Sequence, residues 1–263
     1  MNYAKVCEIF RSLALTSGEV IMEVYSSNKF DVLLKSDESP VTIADKKADE
    51  LISRGLKKYF PEIPVVTEEQ VKSHDLNASV FFIVDPLDGT KEFIKRRGDF
   101  TVNIALVAHG KPIRGIVYAP ARQRLFYTDE NGEAVEEMAY FSVSKLGLIK
   151  KIKTAFSDNT ALKIVASKSH RDKNTDSYIS KYSYKELVSA GSSLKFCLIA
   201  TGEADLYPRF GPTMEWDTAA GHAVLSAAGG SVLQVEDRQP LKYGKPNYKN
   251  PFFIASSKNV ILK

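Results

Sequence analysis

The stretch FFIVDPLDGTK, residues 81–91, decides how the rest of the chain is interpreted. Its apolar start is typical of a buried strand, and two carboxylates, Asp85 and Asp88, follow at once. Pro86 fixes its own φ and has no N–H, so we expect it to stop the strand and direct the Leu87 carbonyl outward. Carboxylate and carbonyl oxygens are ligands for hard cations. The stretch therefore has three interpretations: metal ligands, a nucleophilic carboxylate, or a plain turn.

The residues after Asp88 predict a phosphate site. Gly89 and Thr90 precede KEFIKRR, residues 91–97, which is typical of a helix. The free N–H groups and the positive dipole end at a helix start favour a phosphate. Phosphatases that form an aspartyl-phosphate carry D-x-D-G-T instead, with both carboxylates on one face of an extended chain. The spacing D-x-x-D-G-T disfavours that nucleophile, so water is the better candidate.

Composition and charge indicate an ordinary globular protein that binds small anions. The 263 residues are 44% hydrophobic and 26% charged, with a net charge of +4. The densest basic segment, residues 145–153, is typical of a solvated face rather than of a nucleic-acid site. The chain has no CxxC motif, no apolar run long enough for a membrane span, and an amino terminus unlike a signal peptide. We therefore expect a cytoplasmic protein without a nucleic-acid partner.

Helical periodicity is clearest in the first quarter of the chain. Apolar residues from Val6 to Val24 mark one face of a long first helix. A second helix is expected from near Thr42 until Phe60, and Tyr59 is among the residues that its pattern places inward. The start of the chain is therefore predicted to contain two helices.

Short apolar runs follow, and their arrangement changes along the chain. Three of them predict an antiparallel meander: residues 101–108, 114–119 and 124–128. The pattern loosens around residues 141–160, and beyond this segment strands and helices alternate. We therefore predict an N-terminal α+β lobe, residues 1–143, and a C-terminal α/β lobe, residues 144–263.

Further acidic residues lie at the predicted ends of helices and strands. Asp45 lies in the first turn of the second helix, Glu68 and Glu69 follow the strand PVVT, and Asp217 opens a helix after Trp216. Carboxylates that meet in one place raise one another's pKa unless cations neutralise them. Oxygen ligands without His or Cys suit Mg²⁺. Such a cluster is most simply a site for two or three Mg²⁺ ions.

Each acid also has a structural alternative that stays open. Asp45 completes a capping box with Thr42, and Asp217 can cap its own helix. The two glutamates can lie in a solvated loop, and Asp-Gly is a common turn pair. Together these alternatives do not explain why so many strand and helix ends carry acids.

Three motifs in order resemble the signature of the lithium-sensitive, Mg²⁺-dependent phosphatases: EE at 68–69, DPLDGT at 85–90 and WDTAAG at 216–221. This superfamily contains inositol monophosphatase and fructose-1,6-bisphosphatase, and the resemblance covers nearly the whole chain. DPLDGTKEFIKRRGDFTVNIALV and GKPIRGIVYAP are most similar to the CysQ branch, the 3'(2'),5'-bisphosphate nucleotidases. The resemblance implies an α+β fold of layered αβαβα type, the sugar-phosphatase or inositol monophosphatase-like fold.

The resemblance also implies the roles of individual residues. The implied metal ligands are Glu68, Asp85, the Leu87 carbonyl, Asp88 and Asp217, with Asp85 shared between two Mg²⁺ ions. The implied catalytic residues, which position and deprotonate the attacking water, are Asp45, Glu68 and Thr90. Glu69 is expected to support the site.

The second half of the chain is expected to bind a second phosphate of the substrate. Lys195 and the helix start at Ser192 and Ser193 would serve it, with His170 or Arg209. Ser192 can instead be a cap, His170 a surface residue, Arg209 an ion-pair partner, and Trp216 is better explained as packing. The full set of expected substrate contacts is Glu68, Leu87, Asp88, Gly89, Thr90, His170, Ser192, Lys195, Arg209 and Asp217.

The leading hypothesis is a Mg²⁺-dependent nucleotidase. It would hydrolyse 3'-phosphoadenosine 5'-phosphate, a by-product of sulfate assimilation, to AMP and phosphate through metal-activated water. The alternatives are an inositol monophosphatase, whose substrate offers Lys195 no second phosphate, and a non-catalytic regulator that binds the nucleotide. The resemblance implies inhibition by Li⁺ and allows peripheral attachment to the cytoplasmic face of the inner membrane. No feature of the sequence indicates an oligomeric state.

Overall fold

Helices and sheets alternate in the part of the chain that the computed structural model describes, which is residues 1–27, 32–34, 40–167 and 171–263. The expected substrate contact His170 lies outside these residues. The helices are α1 (Tyr3–Ser26), α2 (Ile43–Tyr59), α3 (Thr90–Ile94), α4 (Lys173–Ile179), α5 (Leu194–Ala200) and α6 (Ala219–Ala227). The strands are β1 (Val32–Leu34), β2 (Pro40–Thr42), β3 (Val65–Thr67), β4 (Val80–Asp88), β5 (Thr101–Ala108), β6 (Lys111–Ala119), β7 (Arg124–Thr128), β8 (Ala134–Met138), β9 (Leu148–Lys151), β10 (Leu162–Ser167), β11 (Tyr184–Ala190), β12 (Leu206–Arg209), β13 (Ser231–Gln234) and β14 (Phe253–Ser256).

The layers follow the order helix, sheet, helix, sheet, helix. Helices α1 and α2 pack on one face of a seven-stranded sheet of order β3-β4-β5-β6-β7-β8-β9. Helices α5 and α6 lie between its other face and a five-stranded sheet of order β11-β10-β12-β14-β13. Helix α4 packs on the far face of this second sheet. Because successive strand residues point to opposite faces, each sheet can bury both faces in this arrangement. The expected layered αβαβα fold is confirmed.

Helix α2 begins and ends where its local sequence predicts. Thr42 is its N-cap and forms a capping box with Asp45, and Phe60 is its C-cap. The expectation that Tyr59 points inward is wrong, because this residue is 39% exposed. Leu56 and Phe60, four residues apart, fill the inward positions of the last turn. Tyr59 therefore falls on the solvent side.

The expectation that Pro86 stops its strand is also wrong. β4 continues to Asp88, and its pairing with β5 shifts register between Asp85 and Asp88. Asp85 pairs with Asn103 and Asp88 with Thr101, so β4 carries one extra residue at this point. A bulge tolerates a residue without an N–H, because the ladder is already interrupted there. The bulge thus replaces the predicted strand end.

The antiparallel meander is confirmed over β5, β6 and β7. The loosened segment 141–160 nevertheless contains β9, which pairs with β8 and extends the first sheet to Lys151. All four residues of β9 are exposed, as expected for the basic segment 145–153. The division into two lobes at residues 143 and 144 stays a prediction.

Two helices start or end differently from the prediction. Helix α3 covers only Thr90–Ile94, because Lys95 ends it and Arg96 has a positive φ of 56°. Helix α6 begins at Ala219 with Thr218 as its N-cap, so Asp217 lies before the helix. The Asp217 carboxylate accepts a hydrogen bond from the Met214 N–H at 2.8 Å, which closes the preceding turn. Among the described residues, no helix combines the length and the apolar character that crossing a membrane requires.

Candidate active site

A cleft of about 1040 Å³ lies where β3 and β4 end and where α3, α5 and α6 begin. One part of its wall carries carboxylates, which include Glu68, Asp85, Asp88 and Asp217. Another part carries the cations Lys195 and Arg209. A cleft with both kinds of charge can hold cations and an anionic ligand side by side.

Three of the predicted metal ligands come within reach of one ion. Carboxylate oxygens of Glu68, Asp85 and Asp217 lie within 4.8 Å of one another. Glu68 follows β3, Asp85 lies in β4 and Asp217 precedes α6, so the three come from separate elements. An all-oxygen donor set of this kind fits a hard divalent cation.

The carboxylates lie in surroundings that favour a bound cation. Burial raises the pKa of Asp217 well above its usual value, and the charges of Asp88 and Glu68 raise it further. Burial also raises the pKa of Asp88 to about 6, although Lys195 and the Ser193 N–H oppose the rise. Because these acids disfavour one another's charged forms, a cation among them would remove an unfavourable interaction. The residues therefore fit a metal centre.

Asp88 is held from one side. Its Oδ2 accepts a hydrogen bond from the Ser193 N–H at 2.6 Å and a long one from Asn103 Nδ2 at 3.5 Å. Both of these bonds fall on Oδ2, which leaves Oδ1 for a cation. Gly89 follows with φ of 91°, and a Cβ there would lie 2.9 Å from the Asp99 carbonyl oxygen. Glycine is therefore needed to turn the chain from Asp88 into α3.

Asp45 serves both interpretations offered by the sequence. Its Oδ2 accepts from the Thr42 N–H at 2.7 Å, which is the cap, and its Oδ1 accepts from Thr90 Oγ1 at 3.1 Å. Thr90 Oγ1 also lies 3.2 Å from the Leu87 carbonyl oxygen. Burial raises the pKa of Asp45. Asp45 does not line the cleft itself, so Thr90 connects it to the cleft.

The cationic wall is formed by buried residues. Lys195 is 4% exposed, and its Nζ donates to the carbonyl oxygens of Ser192 at 2.5 Å and Ala190 at 3.5 Å. An ammonium has three donors, so one is left for a ligand. Burial lowers the pKa of Lys195 to about 8. Arg209 is anchored through Nη2 to the Pro212 carbonyl oxygen at 2.9 Å.

Ser192 lines the cleft together with the cationic wall, whereas the Ser193 N–H is not free to bind a phosphate as the sequence suggested. Ser192 has a positive φ of 49°, and its buried Oγ has no hydrogen-bond partner among the described residues. The Ser193 N–H, expected at a phosphate, is taken by Asp88. Ser192 lies before the N-cap position, which is Ser193, so it is not the cap of α5.

Two residues were not predicted from the sequence: His74, which lines the cleft, and Asn103, which contacts Asp88 from behind. His74 stacks on Trp216 with ring centroids 4.7 Å apart, and both line the cleft. Trp216 is only 6% exposed, which agrees with the packing role expected for it. Asn103 is a polar residue inside the apolar strand TVNIALVA, and that contrast was a usable signal. The side chain of His74 gave no comparable signal.

Comparisons with known proteins agree with this fold and show the family of the chain. Residues 2–261 match the model of the inositol monophosphatase family, and the chain belongs to this family. The 3'(2'),5'-bisphosphate nucleotidase CysQ of Escherichia coli K12 is 44% identical over 256 residues, covering 96% of this chain and 98% of the relative. The enzyme of the same name from Salmonella typhimurium is 42% identical over 252 residues, covering 95% and 97%.

Solved structures give the same result. CysQ from Bacteroides thetaiotaomicron, described as a bacterial member of the inositol monophosphatase family, has a TM-score of 0.84 and 39% identity over 98% of both chains. Inositol monophosphatase from Anabaena has a TM-score of 0.75 at 21% identity, over 98% of this chain and 92% of the other, and shares the fold. The resemblance stated from the motifs is thereby confirmed.

Proposed function

We propose that this protein is a 3'(2'),5'-bisphosphate nucleotidase that hydrolyses 3'-phosphoadenosine 5'-phosphate to AMP and phosphate. The observation that carries the proposal is the pair of buried cations, Lys195 and Arg209, in the same cleft as the carboxylates. A phosphate monoester would need only the metal centre, whereas a bisphosphate also needs a second anion site. The relatives named CysQ support the same assignment.

We propose that Mg²⁺ is the cation, held by Glu68, Asp85, the Leu87 carbonyl, Asp88 and Asp217, with two to three ions bound. When bound, it neutralises the transferring phosphoryl group and lowers the pKa of water towards neutrality. The carboxylates hold their geometry through bonds already present, such as those from Ser193 to Asp88 and from Met214 to Asp217.

Thr90 and Asp45 would manage the proton of the attacking water. Thr90 Oγ1 donates to Asp45, so its lone pairs can accept a hydrogen bond from water at the cleft wall. As the water oxygen bonds to phosphorus, its proton passes through Thr90 to Asp45, and Glu68 orients the same water. The bond from phosphorus to the ribose 3' oxygen breaks, the leaving oxygen takes up a proton from solvent water, and Asp45 returns its proton to solvent.

Lys195, Arg209 and Ser192 would bind the 5'-phosphate that is not cleaved. The remaining donor of Lys195 and the unpartnered hydroxyl of Ser192 can both contact it. A charge-assisted hydrogen bond of this kind contributes about 1.5–3 kcal/mol. Binding of this phosphate would therefore fix which end of the substrate meets the metal centre.

The test is phosphate release with Mg²⁺ from three substrates: 3'-phosphoadenosine 5'-phosphate, 3'-AMP and inositol 1-phosphate. We expect kcat/KM to be highest for the bisphosphate and to fall for 3'-AMP, which lacks the 5'-phosphate. Asp88→Asn should abolish release from all three substrates. Lys195→Met should reduce the ratio of kcat/KM for the bisphosphate to kcat/KM for 3'-AMP by about tenfold or more.

Two outcomes would contradict the proposal. Preference for inositol 1-phosphate would indicate a monophosphatase on the same fold. Binding of the bisphosphate without phosphate release would indicate a regulator rather than an enzyme. Inhibition by millimolar Li⁺ is also expected, and its absence would count against the second metal position.

A further inference from the structure

A buried polar network lies behind Asp88, on the side away from the cleft. Its members are Thr101 and Asn103 in β5 and Ser193 before α5, each at most 1% exposed. Ser193 Oγ donates to Asn103 Oδ1 at 2.6 Å, and Thr101 Oγ1 lies 2.8 Å from Ser193 Oγ. The network therefore joins the first sheet to the middle helical layer beside a predicted metal ligand.

The directions of the hydrogen bonds from Ser193 to Asn103 and from Asn103 to Asp88 follow from the chemistry of the groups. Asn103 Oδ1 can only accept, so the single proton of Ser193 Oγ points to it. The Thr101 hydroxyl can donate to Ser193 Oγ at 2.8 Å or to Asn103 Oδ1 at 3.2 Å, and the Asn103 amide group must point the other way. Asn103 Nδ2 accordingly faces Asp88 Oδ2, at 3.5 Å. Either position of the Thr101 proton leaves the bonds from Ser193 to Asn103 and from Asn103 to Asp88 unchanged.

The short contact in this network is the one made by the backbone. The Ser193 N–H lies 2.6 Å from Asp88 Oδ2, whereas the Asn103 contact is at the limit of a hydrogen bond. The Ser193 hydroxyl therefore acts by anchoring its own peptide unit, which in turn holds the carboxylate. The same segment carries Ser192 and Lys195, so its position matters to both walls of the cleft.

We propose that Ser193 and Asn103 are positioning residues for the metal centre: they lock Asp88 through Oδ2 so that Oδ1 is presented to the cation. Neither residue needs to touch the metal or the substrate. The inference rests on the proposed function, because it takes Asp88 to be a metal ligand. Groups that orient a ligand in this way typically change metal affinity 10–100-fold when removed.

The test is titration of the full-length protein with Mg²⁺ alone, by calorimetry and by the rise of the unfolding temperature with Mg²⁺ concentration. We expect Ser193→Ala and Asn103→Leu each to weaken Mg²⁺ binding by about tenfold. The matched control is Ser257→Ala, which removes an equally buried hydroxyl that pairs with Ser157 outside the cleft. The control should lower the unfolding temperature without Mg²⁺ and leave the Mg²⁺ affinity unchanged.

The unfolding temperature without Mg²⁺ shows whether each variant is folded, so loss of affinity can be separated from loss of structure. Wild-type Mg²⁺ affinity in both site variants would overturn the inference, even if the enzyme were active. An equal loss of affinity in Ser257→Ala would overturn it too. Conversely, a protein that binds Mg²⁺ as described but does not hydrolyse the bisphosphate would contradict the proposed function and leave this inference in place.

Discussion

At the scale of single residues, Asp45 shows that a structural and a chemical role can coexist in one side chain. One carboxylate oxygen caps α2, and the other accepts from Thr90 at the cleft. The cap keeps the carboxylate in place, so its second oxygen is oriented without the help of a ligand. The two interpretations of the sequence were therefore not exclusive.

We expect Thr90→Val to lower kcat about 100-fold and to leave KM nearly unchanged. Valine keeps the branched shape of threonine but cannot pass a proton to Asp45. The measurement is steady-state kinetics with the bisphosphate, with Thr16→Val in α1 as a control outside the cleft. A variant with wild-type kcat would exclude Thr90 from the proton route.

His222 is a second residue whose surroundings lead to a measurable effect. It lies in α6, is 7% exposed, and its Nδ1 lies 2.9 Å from the Tyr243 hydroxyl. Burial, with a smaller effect of Lys245, lowers its pKa to about 3. Between this value and the usual pKa near 6.5, the unfolded chain binds a proton that the folded chain does not. The stability that neutral His222 contributes to the folded protein is thus lost as the pH falls below about 6.5.

We expect the free energy of unfolding to fall by up to about 1.4 kcal/mol for each unit by which the pH falls below 6.5. His222→Gln should remove this part of the pH dependence. The measurement is the free energy of urea unfolding at pH 7, 6 and 5 for both proteins. Parallel pH dependences would show that His222 is not responsible.

At the scale of elements, the loop before α6 is held by an ion pair between a fully buried carboxylate and a partly exposed lysine. Glu215 is fully buried, and its carboxylate accepts from the Gly244 N–H at 2.6 Å and from Lys245 Nζ at 2.5 Å. Its backbone carbonyl accepts from the Thr218 and Ala219 N–H groups at the start of the helix. The pair therefore fixes the loop that carries Trp216 and Asp217.

We expect Lys245→Met to destabilise the protein by about 1–3 kcal/mol, because the buried Glu215 carboxylate would keep only its backbone N–H donors. The double variant Glu215→Gln with Lys245→Met should recover part of this loss. Chemical denaturation of the single and double variants measures both effects. If the two single substitutions were additive, the pair would not be coupled.

At the scale of the whole molecule, the middle helical layer joins the two sheets. One hydrophobic cluster includes Val107 of the first sheet, Val224 of α6 and Phe253 of the second sheet. The layer and the first sheet approach closely at Gly115, where a Cβ would lie 2.6 Å from the Ala220 carbonyl oxygen. Neither sheet can bury its inner face without α5 and α6.

We therefore expect the chain to unfold in one cooperative transition. The chain has a single tryptophan, Trp216 in the second half, whose fluorescence can be compared with far-UV circular dichroism of all helices and strands. The two transitions should coincide, and a fragment of residues 1–151 should not fold alone. Separate transitions, or cooperative unfolding of that fragment, would instead favour the two predicted lobes as independent units.

Short stretches of the sequence determined several local features of this protein. The capping box of α2, the meander and the acids of DPLDGT depend on residues a few positions apart, so patterns within the chain predict them. The exact ends of β4 and α3 did not follow from pattern, because pairing with β5 and backbone angles beyond Ile94 decided them.

Only the tertiary structure decided which of these residues meet. Ser193 lies 105 residues beyond Asp88, and no local pattern indicates that its N–H holds that carboxylate instead of a phosphate. The same holds for Lys195, whose burial beside the carboxylates comes from the packing of α5 between two sheets. The local sequence determined which carboxylates, amides and cations lie at the ends of helices and strands, since capping and periodicity act over a few residues. The layered packing determined the distances between these groups, because contacts between separate elements exist only once the layers have formed.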